Sequence, residues 1–399
     1  AMDFRDTLEE ASFREHVRGW LHENVPEGWG MPRDQDPPTF EERVAFHKAW
    51  SLKLFEAGFV GMTWPSRYGG QEAPPTRQAI VLEEMGRVEA PDHVGPIGIG
   101  MAGPTILAHG TDEQKDRFLR KILTGEEVWC QGFSEPNAGS DLATLQTKAV
   151  RDGDRFVVSG QKVWSSFAHI ADRCILLART DWTGRKHEGL TYFLLDMHAP
   201  GVQVRPLRQI TGEAEFNEIF LESVAIPADR VLGEGGQGWS VAITTLMNER
   251  ANVGFALMAR LESNYRRLTE LAKATARNGS RAADDPMVRD RLADLWADLQ
   301  AFRFTIYRAF SAMLKTGMPG PEGSVAKLFW SETNQRLTKA ALEIEGASAL
   351  LAEGSDRAVA GGRWQTAQLR SRGNTIEAGT SEILRNIIAE RVLGLPKSR

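Results

Sequence analysis

The spacing of apolar positions changes twice along the chain. From Thr7 to about Thr124 it is helical: Phe13, Val17, Trp20 and Leu21 share one stripe, as do Val44, Phe46, His47 and the run Trp50 to Leu54. Loops break this region at Pro26 to Pro38, Trp64 to Pro75 and Ala90 to Pro96. Thr111 with Gln114 three residues on forms a capping-box signal, for a helix that runs to about Leu123 and stops at Gly125. From about Glu126 the period shortens to that of strands. Arg155–Ser159, Cys174–Ala178, Thr191–Leu195, Val202–Arg205 and Asn217–Leu221 are predicted strands, with a hairpin turn at Asp152-Gly-Asp154. Short strands with no helices between them imply antiparallel pairing in a small barrel or sandwich. From Trp239 helix returns, over Val241–Ala276, from Asp285-Pro286 to about Thr316, over Ser324–Ala352 and over Ser381–Val392, with a Gly/Pro connector at Gly317 to Gly323. The predicted fold is α+β in three parts: an N-terminal helical domain (1–125), a central antiparallel β domain (126–235) and a C-terminal helical domain (236–399).

Composition narrows the function class. The 399 residues carry 48 basic and 53 acidic side chains, a net charge of −5 with no long basic block, which argues against nucleic acid as the main partner. Two cysteines, Cys130 and Cys174, make no disulfide framework, so a cytoplasmic location is expected. No apolar run approaches the ~18 residues of a membrane-spanning helix, so no integral membrane association is expected. The eight histidines show no metal-ligand spacing, so no metal is expected. There is no GxSxG elbow and no Walker loop, and Gly95-Pro-Ile-Gly-Ile-Gly100 does not fit GxGxxG.

Four segments could carry chemistry. Trp129 to Asp141 runs from a β-type segment into a loop with Pro136, Gly139, Ser134 and Ser140 that can offer N–H groups and hydroxyls to a ligand; it also reads as a capped strand-to-loop turn. Trp164, in Gly160-Gln-Lys-Val-Trp-Ser-Ser166, can stack on a flat cofactor or belong to the core. Arg372 to Glu382 precedes a final helix that Thr380 or Ser381 can cap, leaving N–H groups for an anion or serving as an ordinary helix start. Glu249-Arg250 lies in apolar company on a long helix, either as a structural pair or as a carboxylate held for acid–base work.

Taken in order, Gly61-Met-Thr-Trp-Pro-Ser-Arg-Tyr-Gly-Gly70, His109-Gly-Thr-Asp-Glu-Gln-Lys115, Ser134-Glu-Pro-Asn-Ala-Gly-Ser-Asp141, Gly160-Gln-Lys-Val-Trp164, Gly379-Thr-Ser-Glu-Ile383 and Ile388-Ala-Glu-Arg391 resemble the acyl-CoA dehydrogenase flavoprotein family over nearly the whole chain. The resemblance is strongest toward bacterial, actinobacterial-like members acting on varied acyl-CoA thioesters, including branched or steroid-derived ones. It implies a C-terminal four-helix-bundle domain, an acyl-CoA substrate, and FAD held between the β domain and the C-terminal helices. By matching position, the implied FAD contacts are Gln131, Phe133, Ser134, Gly139, Ser140, Trp164, Ser166 (near the reactive nitrogen), Thr380 and Glu382, with Arg277 reaching a neighbouring subunit's FAD. Ser140 and Arg250 are assigned to the substrate. An electron-transfer flavoprotein is the implied acceptor, and the implied assembly is a homotetramer or an α2β2 heterotetramer.

The implied reaction is α,β-dehydrogenation of the thioester: a carboxylate takes the α-proton while the β-hydrogen leaves as hydride to flavin N5. The developing enolate needs hydrogen bonds, which the resemblance assigns to the backbone N–H of Ala378 and a ribityl hydroxyl of FAD. Many members place the catalytic Glu directly before Gly-Thr, where this chain has Ala378. Some branches carry the base on the long helix just before an arginine, and Glu249 matches that position. Glu377 ranks below it, because neighbours on an extended loop point to opposite sides. Two further departures are an Arg277 with no aromatic after it and Glu343-Ile-Glu-Gly-Ala347, where many members have Gln and paired glycines. The rival readings are an oxidase or monooxygenase on the same fold, and a partner subunit of an α2β2 dehydrogenase.

Overall fold

Helices begin where the capping residues lie. The structure, a computed structural model, describes residues 6–27, 29, 37, 39–252, 254–277, 279–317 and 320–397, the side chains of residues 249–252 excepted. The helices are α1 (Leu8–Asn24), α2 (Phe40–Glu56), α3 (Pro75–Arg87), α4 (Gly103–His109), α5 (Asp112–Thr124), α6 (Gly238–Asn252), α7 (Gly254–Ala274), α8 (Pro286–Thr316), α9 (Glu322–Glu345), α10 (Arg363–Asn374) and α11 (Ser381–Ile387). The strands are β1 (Trp129–Gly132), β2 (Lys148–Asp152), β3 (Arg155–Ser166), β4 (Arg173–Arg179), β5 (Leu190–Asp196), β6 (Val202–Leu207), β7 (Phe216–Pro227), β8 (Ala276–Arg277) and β9 (Ser280–Arg281). Thr7, Thr39 and Thr111 each close a capping box at the start of α1, α2 and α5. α5 ends at Gly125, which takes the left-handed φ of 74° that closes a helix without a side-chain clash. Asp285 caps α8 with Pro286 in its first turn, as the sequence predicts.

The chain forms two compact units, each assembled from separated stretches: residues 1–36, 74–91 and 250–399 make one, and residues 37–73 and 92–249 make the other. The first is helical. Its core is a cluster from α7, α8, α9 and α10, including Phe255, Leu268, Leu299, Phe302, Leu337, Ala341 and Trp364. In this unit charge ties α1 to α3: the buried Glu84 receives Arg14 at 2.9 Å and Arg18 at 2.7 Å. α10 is absent from the sequence reading because its inward face is polar. Gln365, Gln368, Ser371 and Asn374 are buried with Trp364, and Gln365 and Gln368 bond to Glu345 and Thr338 of α9. Such a face shows no hydrophobic period to read.

The second unit carries a seven-stranded sheet in the order β1-β4-β2-β3-β7-β6, with β5 paired to β4. Most pairs are antiparallel, but β1 runs parallel to β4 and brings Cys130 beside Cys174, both buried and free. Gly153, at φ 61°, opens the two-residue turn that joins β2 to β3. The strands extend past their expected ends, and β3 continues through Trp164 to Ser166. The β3–β7 ladder slips twice. Val158 pairs with Val224 and Gly160 with Leu221, then Lys162 pairs with Ile219 and Ser165 with Asn217. The first slip puts an extra residue on β7 around Ser223, the second an extra one on β3 beside Trp164.

Candidate active site

Each unit carries part of the expected site. In the sheet unit the second bulge determines what Trp164 does. Its backbone is left-handed (φ 61°), uncommon for a bulky residue, and its side chain is 61 % exposed with the ring edge-on to Phe216 at 6.1 Å. Strain of this kind persists where the surroundings over-determine it. Here the Val163 N–H donates to the Ser134 carbonyl at 2.9 Å, so the bulged stretch of β3 is tied to the loop after β1.

Beneath that contact lies a buried ion pair. Lys162 is fully buried; its Nζ donates to the Phe133 carbonyl at 3.0 Å and to Glu135 Oε1 at 2.9 Å. Glu135 also accepts the Gln146 N–H at 2.6 Å and the Thr147 N–H at 2.8 Å. Burial alone would raise the Glu135 carboxyl; the Lys162 charge and the donors from Thr147 and Gln146 outweigh it and hold the carboxyl below its usual range. Burial pushes the Lys162 ammonium down, and Glu135 opposes that shift.

The other expected residues of this unit fall around the same loop. Phe133 is buried edge-on to Tyr192 at 5.7 Å, as core rather than exposed surface. Ser134 is half-buried, Gly139 and Ser140 are exposed at the loop, Ser166 is half-buried at the end of β3, and Gln131 lies on β1 opposite Ile175. The structure therefore brings Ser134 and Trp164 together. The exposed indole is a flat face on which a planar ring can stack.

In the helical unit Ala378, Thr380 and Glu382 lie at the turn before α11 and its start. Ala378 has φ 52° and Thr380 caps α11 by accepting the Ile383 N–H at 3.2 Å. Lys327 of α9 donates to the Gly379 carbonyl at 2.7 Å, while Glu377 is held by Arg370 at 3.0 Å and by Asn374 at 2.8 Å. Glu382 is exposed, and its own N–H with the Thr380 hydroxyl keeps its carboxyl low. Thr380 and Glu382 line a groove of about 630 Å³ with Arg336, Lys339, Arg372 and Arg385. Glu332 lines it too and pairs with Arg385, while Arg336 pairs with Asp298. Arg277 sits exposed on the β8–β9 hairpin, its Nε 3.7 Å from Asp285. The side chains of Glu249 and Arg250 lie outside the described residues.

Lys162, Glu135 and Lys327 escaped the sequence reading. A signal existed for the first: Lys162 shares the inward parity of Phe156 and Val158 on β3, an unusual place for a lone cation. Among the described residues no group of three His, Cys, Asp or Glu is placed to hold a metal, and no helix is long and apolar enough to cross a membrane.

Three models of the acyl-CoA dehydrogenase family match in succession: its N-terminal domain over residues 7–126, its middle domain over 130–224 and its C-terminal domain over 236–393. The chain belongs to this family. It is 42 % identical over 395 residues to acyl-CoA dehydrogenase IpdE1 of Mycobacterium tuberculosis, covering 96 % of this chain and 97 % of the relative. Among solved structures it resembles the Tcur3481-Tcur3483 steroid acyl-CoA dehydrogenase, with a TM-score of 0.86, 30 % identity and full coverage of both chains. It also resembles the ChsE4-ChsE5 complex of Mycobacterium tuberculosis, with a TM-score of 0.84, 29 % identity and full coverage. The protein is thus an acyl-CoA dehydrogenase of a flavin-dependent oxidoreductase family.

Proposed function

We propose that this acyl-CoA dehydrogenase uses FAD to convert a ring-bearing, steroid-derived acyl-CoA to its 2-enoyl-CoA. The observation that carries the flavin assignment is Trp164: an exposed indole locked in a left-handed bulge beside the Ser134 loop is a stacking surface. The steroid-derived acyl group is supported by the likeness to a steroid acyl-CoA dehydrogenase. Bound FAD supplies a two-electron acceptor for the β-hydrogen of the thioester.

The chain's own groups do the rest. Glu249 removes the α-proton, since Ala378 carries no carboxylate and Glu377 is engaged by Arg370 and Asn374. The Ala378 N–H donates to the thioester carbonyl as negative charge builds there, which brings the α-proton within reach of a carboxylate. Gln131, Phe133, Ser134, Gly139, Ser140, Ser166, Thr380 and Glu382 shape or contact the flavin, and Ser140 and Arg250 contact the substrate. The assembly is an α2β2 heterotetramer, a reading supported by the two-component names of both neighbours above. In it Arg277 reaches the pyrophosphate of a neighbour's FAD. An electron-transfer flavoprotein takes the electrons onward.

The test is anaerobic flavin bleaching by straight, branched and ring-bearing acyl-CoAs, using the chain alone and with a co-expressed partner. The Glu249→Gln variant is expected to keep its flavin and to lose about 10²–10⁴-fold in bleaching rate. Normal bleaching by that variant excludes Glu249 as the base, and steady oxygen consumption by the wild type would favour an oxidase.

A further inference from the structure

We infer that the buried Lys162–Glu135 pair is a positioning device: it clamps the loop over residues 133–147 to β3 at the bulge that presents Trp164, so that loop and indole act as one rigid surface. The inference rests on the flavin reading of that surface. Three further chain positions converge on the pair. The Lys162 ammonium holds the start of the loop through the Phe133 carbonyl (3.0 Å) and the Glu135 carboxylate (2.9 Å). Both oxygens of that carboxylate then accept backbone N–H groups from the loop's far end, Gln146 (2.6 Å) and Thr147 (2.8 Å). Glu135 and Ala138 also exchange backbone bonds at 3.0 Å, closing a tight turn inside the loop. The base of the loop is therefore dry and cross-tied, while Pro136, Asn137, Gly139 and Ser140 stay exposed.

The placement argues for more than stability. A buried pair that serves only stability can often be replaced by apolar side chains of similar volume at little loss. Here the anion accepts two backbone N–H groups besides the Lys162 ammonium, so what it determines includes the path of the loop. Lys162 stands two residues before Trp164, and the intervening Val163 bonds the loop at Ser134. Removing the pair leaves the Val163–Ser134 bond as the loop's remaining tie to the strand beside the indole.

The experiment uses the full chain, with its partner if flavin binding requires one. The double variant Lys162→Met/Glu135→Met leaves no orphan charge. It leaves the Gln146 and Thr147 N–H groups and the Phe133 carbonyl without these partners, so its melting temperature is expected to fall while the transition stays cooperative. Its flavin-free form is expected to exchange the Gln146 and Thr147 amides about a hundredfold faster, and its FAD dissociation constant is expected to rise about tenfold or more. A folded double variant with wild-type exchange at those amides, or with wild-type FAD affinity, overturns the clamp. If the double variant does not fold, Glu135→Gln carries the test. That variant is expected to speed exchange at the same two amides and weaken FAD binding, and wild-type behaviour in either again overturns it. Absence of FAD binding by the wild-type protein, alone and with partner, overturns the flavin reading instead, and the exchange data still decide whether the pair controls the loop.

Discussion

Trp164 and Ala378 are both held at positive φ, 61° and 52°, and beside each a lysine donates to a backbone carbonyl: Lys162 to Phe133 at 3.0 Å, Lys327 to Gly379 at 2.7 Å. The surroundings differ. Lys162 is fully buried against a carboxylate that has used both oxygens, so the geometry of the Trp164 segment is enforced from inside the sheet unit. The Ala378 turn rests in part on the Arg370–Glu377 pair, whose side chains are 38 % and 31 % exposed. A charge pair out of water is unforgiving of change, whereas one in contact with water is screened and exchangeable. The Ala378 turn thus combines one buried tie, Lys327 to the Gly379 carbonyl, with a water-exposed pair, whereas the Trp164 segment is tied by a buried pair.

The largest effect should come from breaking the buried pair on one side only. Lys162→Met strands the Glu135 charge and is expected to cost about 3–5 kcal/mol of stability, measured by denaturant unfolding. A loss no greater than that of a surface substitution would erase the contrast between the two segments.

Acid titration separates the clamp from another buried group in the same unit. His93 accepts the Gly95 N–H at Nδ1 (3.0 Å) and faces the Leu123 carbonyl from Nε2 (3.1 Å), so the ring is neutral with its proton on Nε2, and burial lowers its pKa to about 4. In the unfolded chain it takes up a proton near the ordinary value of about 6.5. Between those values the unfolded state binds more protons, so stability falls as pH drops from about 6.5 to about 4, by on the order of 2 kcal/mol. Glu135 behaves in the opposite window. Its depressed carboxyl contributes fully above the ordinary carboxylate value and is lost only as pH falls through its lower folded-state value. His93→Gln should flatten the slope between pH 6.5 and 5 and leave the steeper acid loss in place; an unchanged slope would remove His93 as its cause.

Smaller effects probe the Ala378 turn. Ala378→Gly removes the side-chain cost of a left-handed conformation, and a gain of about 0.5–1 kcal/mol in thermal unfolding is expected. A loss there would mean that the methyl packs usefully. Arg370→Ala should change stability by less than about 1 kcal/mol, shrinking further in high salt, and a larger loss would put this turn in the same class as the Trp164 segment.

Much of the frame was legible in the sequence because its causes are local. Thr111 with Gln114, Asp285 before Pro286, and Gly125 after the last turn of α5 each act within a few residues, and each appears as read. The strand pattern located β2 to β7 and the Asp152–Asp154 turn paired β2 with β3, but the other pairings were not legible. The parallel seating of β1 beside β4 depends on segments more than forty residues apart. α10 was invisible because its buried face is made of Gln365, Gln368, Ser371 and Asn374, whose burial is intelligible only opposite α9.

The site divides the same way. The sequence alone determined that Trp164, the Ser134–Asp141 loop and the Gly379–Glu382 turn belong together as family motifs, and that Ala378 carries no carboxylate. Tertiary structure alone decided that Trp164 is exposed and left-handed and that Phe133 is core. It also decided that Lys162 reaches back twenty-seven residues to Glu135. A motif records residue types along the chain. The free energy of a buried charge depends on what the fold places within 3 Å of it, and no spacing in the chain states that.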